Sequence, residues 1–255
     1  MKRRSKQGSK WPPRADSFVW LSALERTVHQ GRSTAQKLLF NQVEAVMTGP
    51  ASDIAFTPTV KDIQTQRGSR SAYARMEARG GFKTEISDDL VEFLAGVDTA
   101  YLATSNASGQ PYAQHRGGPK GFLRVIDRHT IGLADFTGNQ QYISTGNLLE
   151  NAKAFLFLMD YAHRRRIKIW GQARVVNDDP DLIARLMPEG YRAKPQQAIL
   201  FEVEAWDANC PQHIPQKFDA ADVAEGVARF EARIANLEAE NAALRATLAQ
   251  KDTSA

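Results

Sequence analysis

Residues 97–176 read VDTAYLATSNASGQPYAQHRGGPKGFLRVIDRHTIGLADFTGNQQYISTGNLLENAKAFLFLMDYAHRRRIKIWGQARVV. Short apolar, β-prone runs alternate here with polar turns. Residues 99–105 form the first predicted strand, closed by the turn at 106–109, and 111–117 form the second. The break Gly117, Gly118, Pro119, Lys120, Gly121 marks a bulge or a close backbone approach to a ligand. A third strand over 122–127 turns at Arg128 and His129 into a fourth over 130–135. A helix over 142–150 comes next, then a continuous apolar strand over 154–161. Residues 164–176 alternate, with Ile167, Ile169 and Gly171 on one face and Lys168, Trp170 and Gln172 on the other.

Downstream, 179–186 is a short helix behind Pro180, and 198–206 alternates through Ile199, Phe201 and Val203 as a half-buried strand. Upstream lie three helices. Thr57 before Pro58 caps the first, which Gly68 ends. Ser69 or Ser71 caps the second, over 72–79. Ser87 caps the third, with Asp88 and Asp89 at its positive end and Leu90, Phe93 and Leu94 on one face. Short strands at this spacing predict a mainly β domain with flanking helices (α+β), a small antiparallel barrel rather than a parallel α/β sheet.

Residues 1–46 fit no domain. The first fourteen are polar, basic and proline-broken. Met47-Thr-Gly-Pro resembles a protein start, so the leader is expected to be either an over-extended gene start, with translation from Met47, or an ordinary helical extension. Past 216 the period becomes seven. Val227, Ile234, Asn241 and Leu248 occupy heptad position a, and Val223, Phe230, Leu237 and Leu244 position d. A coiled coil over 222–251 is expected, with Asn241 selecting a parallel two-stranded register. A helix packed on its own barrel is the alternative.

Composition bounds the function classes. Of 255 residues, 42% are hydrophobic and 24% charged, values compatible with a packed core. No apolar run reaches membrane-spanning length, and the basic N-terminus has no secretory h-region. One cysteine excludes an intrachain disulfide framework and agrees with a cytoplasmic location. The net charge of +4 owes much to five basic residues among the first ten, so nucleic-acid binding is not expected. One Cys and five scattered His give no metal-ligand spacing. Walker, nucleophile-elbow and dinucleotide glycine patterns do not occur.

The ordered set of segments 109–118, 135–151 and 167–176 resembles the pyridoxamine 5′-phosphate oxidase superfamily, the FMN-binding split-barrel group, over about residues 57–210. That resemblance implies a six-stranded antiparallel split β-barrel over 56–212, a homodimer, and FMN in a groove between subunits. It implies cofactor contacts from Gln114, His115, Arg116, Gly117 and Gly118 along the ring and ribityl chain. At the phosphate end it implies Thr137, Asn139, Gln140 and Gln141, completed by Ser144, Thr145 and Asn147. Arg165 or Arg166, in a run that ends at Lys168, reaches from the neighbouring strand.

The residues themselves agree with an anion site. A phosphate needs convergent N–H donors and positive charge, and small and amide residues at 137–141 open into a helix N-terminus. Alternation puts Arg164, Arg166 and Lys168 on one strand face and Arg165 on the other, although a solvated hairpin end explains such a run equally well. Relatives usually carry a basic pair where this chain has Gln140 and Gln141, so the charge is expected from Arg116 or 164–168. The long Arg- and Trp-rich C-terminal segment of the true oxidase has no counterpart, which argues against pyridoxamine phosphate oxidation. Cys210 and His213 lie in a Pro-bounded turn that recurs in a subgroup of such flavoproteins, and His213 is the candidate proton donor. The expected function is an FMN-dependent oxidoreductase acting on a small-molecule redox substrate. A deazaflavin, a non-catalytic flavin-binding or redox-sensing protein, and a haem site with His115 or His213 as axial ligand are the alternatives.

Overall fold

The structure is a computed structural model that describes residues 49–209 and 211–253. The leader over 1–46, the start at Met47 and Cys210 lie outside the described residues. The described chain forms two units. One runs up to Met159 and resumes over Ile167–Asn209; the other combines Asp160–Arg166 with the described residues beyond 210.

The first unit begins with a 3₁₀ turn, Ala51–Ile54, and two helices, α1 (Pro58–Gln66) and α2 (Arg70–Glu77). Thr57 caps α1 as its sequence predicts: its hydroxyl accepts the Val60 N–H at 3.3 Å, with proline in the first turn. Ser69 precedes α2 without a side-chain cap bond. Helix α3 (Asp88–Ala95) buries Leu90, Phe93 and Leu94, each worth about 1.5–3 kcal/mol of transfer free energy. The predicted Ser87 cap is a correction. Its backbone is extended as a cap requires, yet the hydroxyl caps nothing and is buried without a hydrogen-bond partner among the described residues.

Seven strands form one sheet: β1 (Thr99–Ser105), β2 (Pro111–Gly117), β3 (Arg124–Val125), β4 (Thr130–Phe136), β5 (Lys153–Asp160), β6 (Arg165–Val176) and β7 (Pro195–Asn209). Helix α4 (Ile143–Glu150) separates β4 from β5, and α5 (Pro180–Leu186) separates β6 from β7. The sheet order is β2-β1-β5-β6-β7-β4-β3, and β1–β2, β1–β5, β3–β4 and β4–β7 pair antiparallel.

The fold is thus mainly β with flanking helices, and the sheet does not close through backbone hydrogen bonds. The expected count of six strands is corrected to seven. The predicted third strand over 122–127 also shrinks to two residues. Gly121 (φ +79°) turns the chain just before it, and Phe122, Leu123 and Ile126 leave the ladder to enter the core.

Two glycines in the sheet lie at close approaches, and one of them is required by sterics. A Cβ on Gly171 would stand 1.8 Å from the Glu202 carbonyl oxygen, so β7 presses against β6 there and no side chain fits. A Cβ on Gly132 would strike Ile126 and Leu186 at 2.7 Å, where α5 covers β4. The main core joins α3 to the inner faces of the strands, from Leu102 and Leu156 through Ile169 to Phe201. The segment before α3 is tied to β7: Lys83 bridges Trp206, and the Trp206 indole N–H donates to the Glu85 carbonyl at 2.7 Å.

The second unit holds the turn between β5 and β6 and a 34-residue helix, α6 (Ala220–Thr253). The helix covers the whole of the expected heptad segment. No helix among the described residues is long and apolar enough to cross a membrane.

Candidate functional site

A sheet that does not close leaves a seam, and here side chains cross it. On β2, Gln114 and Arg116 share a half-buried face while Ala113 and His115 are exposed on the other, as strand alternation demands. Arg116 reaches over to form an ion pair with Asp135 on β4, and both side chains are nearly covered. The other Asp135 oxygen accepts from the Gln197 amide of β7 at 2.8 Å. That same amide donates to Thr145 of α4 at 3.0 Å. Next to this chain, Ser144 donates to the Gln114 side-chain oxygen at 2.7 Å. One turn along α4, Asn147 donates to Thr104 of β1 at 3.0 Å.

Thr104, Asp135, Ser144, Asn147 and Gln197 are all buried polar residues, and each has a partner in this network. Burying such groups is tolerated because their hydrogen bonds are made. The Nε–H of Arg116 is the exception: it is buried without a hydrogen-bond partner among the described residues. An unmatched donor on a guanidinium is expensive in a protein interior, and Arg116 shares its strand face with Gln114, which Ser144 bonds.

The loop leading into α4 supplies a second feature. Thr137 to Ile143 are exposed, and Gln140 (φ +59°) and Tyr142 (φ +54°) both adopt the left-handed conformation that non-glycine residues avoid. Tyr142 occupies the cap position of α4, and no side chain caps that helix. Asn139 instead accepts the Gln141 N–H at 3.3 Å. The first-turn N–H groups of α4 therefore lie at the helix's positive end beside the exposed loop, an arrangement that suits an anion. Lys194 belongs to the same corner, since its carbonyl accepts the Thr137 N–H at 3.0 Å.

The predicted residues thus divide. Gln114, Arg116, Ser144 and Thr145 come together at the seam, and Thr137, Asn139, Gln140 and Gln141 form the loop at the start of α4. Asn147 serves the interior, bonded to Thr104. His115 points away from Gln114 and Arg116, its ring edge-on to Tyr101 and in the space that a Cβ on Gly117 would need. Gly118 is held tight against Phe122.

Lys168 pairs with Asp207 at 3.2 Å and lies over the Trp170 ring. Arg165 donates through Nε and Nη2 to Asp160 at 3.1 and 2.9 Å, in the second unit, to which Arg166 also belongs. His213 lies in that unit too, exposed and in the left-handed region (φ +62°). Among the described residues no cluster of His, Cys, Asp and Glu has the makings of a metal site.

Sequence reasoning missed Asp135, Gln197 and Lys194. Asp135 ends a strand of apolar residues, and Gln197 precedes another. A charged or amide side chain at the buried end of a β-run is the signal that points to such residues.

With this geometry in place, comparison with known proteins is informative about the family. Residues 86–210 match the family described as pyridoxamine 5′-phosphate oxidase, from just before α3 to just past β7. Those residues match that family, and the resemblance read from the segments holds over them. Among solved structures, HupZ of group A Streptococcus is 18% identical, with 52% of this chain and 99% of that one covered at a TM-score of 0.41. An FMN-binding protein from Syntrophomonas wolfei is 12% identical, with 57% and 97% covered at 0.39. A Clostridium acetobutylicum protein related to general stress protein 26, of the pyridoxinephosphate oxidase family, is 15% identical, with 52% and 92% covered at 0.35. No curated protein matches the chain.

Proposed function

We propose that the seam between β2 and β4, together with the start of α4, binds FMN, and that the protein is an FMN-dependent oxidoreductase acting on a small-molecule substrate. The observation that carries this reading is the buried Arg116 Nε–H without a partner, lying on the same half-buried face as Gln114. FMN brings what such a corner lacks: acceptor oxygens and a phosphate with negative charge. The uncapped first turn of α4 suits the phosphate, with Ser144 and Thr145 there and Thr137, Asn139, Gln140 and Gln141 on the loop before it. Bound FMN supplies transfer of a hydride or of electrons between a donor and an acceptor, chemistry that belongs to the cofactor.

The chain's own residues set the environment of that chemistry. Asp135 offsets the Arg116 charge and fixes its orientation through the ion pair, while Gln197 holds Asp135 from the far side. The uncharged Gln140 and Gln141 leave cation to be supplied by Arg116, and Lys194 stands at the same corner. This balance predicts weaker phosphate binding than a site with a basic pair would give.

The test is titration of the full chain with FMN, followed by flavin fluorescence and visible absorption. Wild type is expected to bind. Arg116→Gln, which still donates to Asp135, is expected to weaken binding about tenfold to a hundredfold, the loss of a charged hydrogen bond worth roughly 1.5–3 kcal/mol. A folded protein that takes up no FMN overturns the reading. A larger loss from Arg166→Ala than from Arg116→Gln would move the phosphate from the seam to the arginine run. Bleaching of the bound flavin by NADH or NADPH then separates an enzyme from a flavin carrier.

A further inference from the structure

Helix α6 carries an apolar stripe that no described residue covers. Among its a and d positions, seven apolar residues are between 45% exposed at Leu237 and 74% exposed at Phe230. Single exposed apolar residues need no explanation, but a continuous stripe along a 34-residue helix does. The period is seven, which is the repeat of a supercoiled seam rather than of a helix lying on a globular core.

We infer that the occupant of this stripe is a second copy of the same helix, parallel and in register. Three observations on α6 select that partner. The first is shape. The helix flank holds a concavity lined by Ile234, Leu237, Glu238, Asn241, Ala242 and Arg245. Its core consists of successive a, d, e and a positions, the four residues that form the hole for a d-position knob of a facing parallel helix. In register, that knob is Leu237 of the second copy. The pairing of branched Val227 and Ile234 at a with leucines at most d positions of the central seam also favours two strands.

The second observation is charge. In a parallel pair each g position meets the e position five residues on in the other helix. Arg233 then meets Glu238, and Glu240 meets Arg245, so each copy contributes two attractive pairs and no repulsive one. Antiparallel alignment matches e with e and g with g. With the axis near 236, Glu231 meets Glu238; with the axis near 239, Glu238 meets Glu238 and Glu240 meets Glu240. Each antiparallel arrangement therefore places like charges opposite one another.

The third is the amide at 241. In register it meets its own copy, and two carboxamides satisfy each other across the seam. Antiparallel, it faces Phe230 or Leu237 and is buried against hydrocarbon without a partner. Asn241 thus acts as a register pin for the parallel dimer.

The experiment is disulfide trapping in the full chain, carried out in a Cys210→Ser background. Leu237→Cys puts the thiol where only a parallel, in-register pair brings position 237 against position 237. On mild oxidation it should yield a covalent species of twice the 28.3 kDa chain mass. Ala239→Cys, on the outer f position, should stay uncrosslinked. Arg233→Glu should cut the Leu237→Cys trapping yield at low salt by severalfold, and Arg233→Glu with Glu238→Arg should restore it. A Leu237→Cys chain whose circular dichroism matches wild type but which fails to crosslink overturns the inference. So does trapping that is equally efficient at position 239, or a yield indifferent to both charge changes.

Discussion

Arg116 and Arg165 each meet an aspartate, one across the seam of the sheet and the other at the turn between β5 and β6. The sequence offers them on equal terms, both as cations on β-strands with a claim on a phosphate. In the fold they differ. Arg116 and Asp135 are 12% and 11% exposed, sit on strands that share no backbone ladder, and form part of a network that runs on through Gln197 to Thr145. Arg165 is 56% exposed, and it directs Nε and Nη2 to an aspartate five residues away on its own hairpin. One arginine keeps a buried donor unspent; the other uses its fork on a local carboxylate. Charge in a sequence thus marks a candidate ligand, and the geometry of the nearest carboxylate decides how much of that charge remains to offer.

The sharpest way to break this contrast is to remove one partner at the seam. Arg116→Ala leaves the Asp135 carboxylate buried with only Gln197 to answer it, and should lower unfolding stability by up to about 3 kcal/mol. Replacing both members together, Arg116→Met with Asp135→Leu, should recover most of that loss, because the cost lies in the stranded charge. Urea unfolding of the three variants measures it. If the single and double variants are equally unstable, the pair is not what spans the seam.

Gln197 sharpens the same point at smaller scale. Its amide serves Asp135 and Thr145 at once, so Gln197→Ala deletes two hydrogen bonds and leaves acceptors buried. About 1–3 kcal/mol is the expected loss. Gln196, its neighbour on β7, reaches only the exposed Tyr142 hydroxyl, and Gln196→Ala should change stability by no more than about 0.5 kcal/mol. A similar effect at both positions in urea melts would mean that burial does not set the strength of this network.

The contrast also explains what was legible in advance. The strands other than β3, with α1, α3 and α6, follow from local period, and they appear near their expected bounds. The seam follows from contacts between residues that lie tens of positions apart, such as Gln114 with Ser144 and Asp135 with Gln197. No local pattern encodes those pairings. The third strand failed for a related reason. Phe122 and Ile126 look β-prone, yet the core needed their side chains more than the ladder needed their backbone. The arginine run resembles a site in the sequence because nothing local marks Asp160, which falls inside the expected apolar strand over 154–161, as the carboxylate that takes up Arg165.

The smallest expected effect lies at that turn and concerns pH. Partial burial pulls the Asp160 carboxyl upward, but the His163 N–H, the Arg165 guanidinium and the His163 ring together more than offset it and hold the group below the ordinary carboxylate range. A carboxyl depressed in the folded state contributes stability that is fully present above its unfolded value, near 4, and is lost as pH falls through the folded value. Asp160→Asn should therefore be less stable than wild type at pH 6–7, by no more than about 1 kcal/mol because its partners are largely exposed. The difference should shrink as pH drops below about 4, where the wild-type carboxylate takes up its proton. Thermal melts of both proteins from pH 7 to pH 3 measure it. A gap that stays constant to pH 3 would mean that Asp160 acts through uncharged hydrogen bonds, and that the arginine beside it is not committed to a charge.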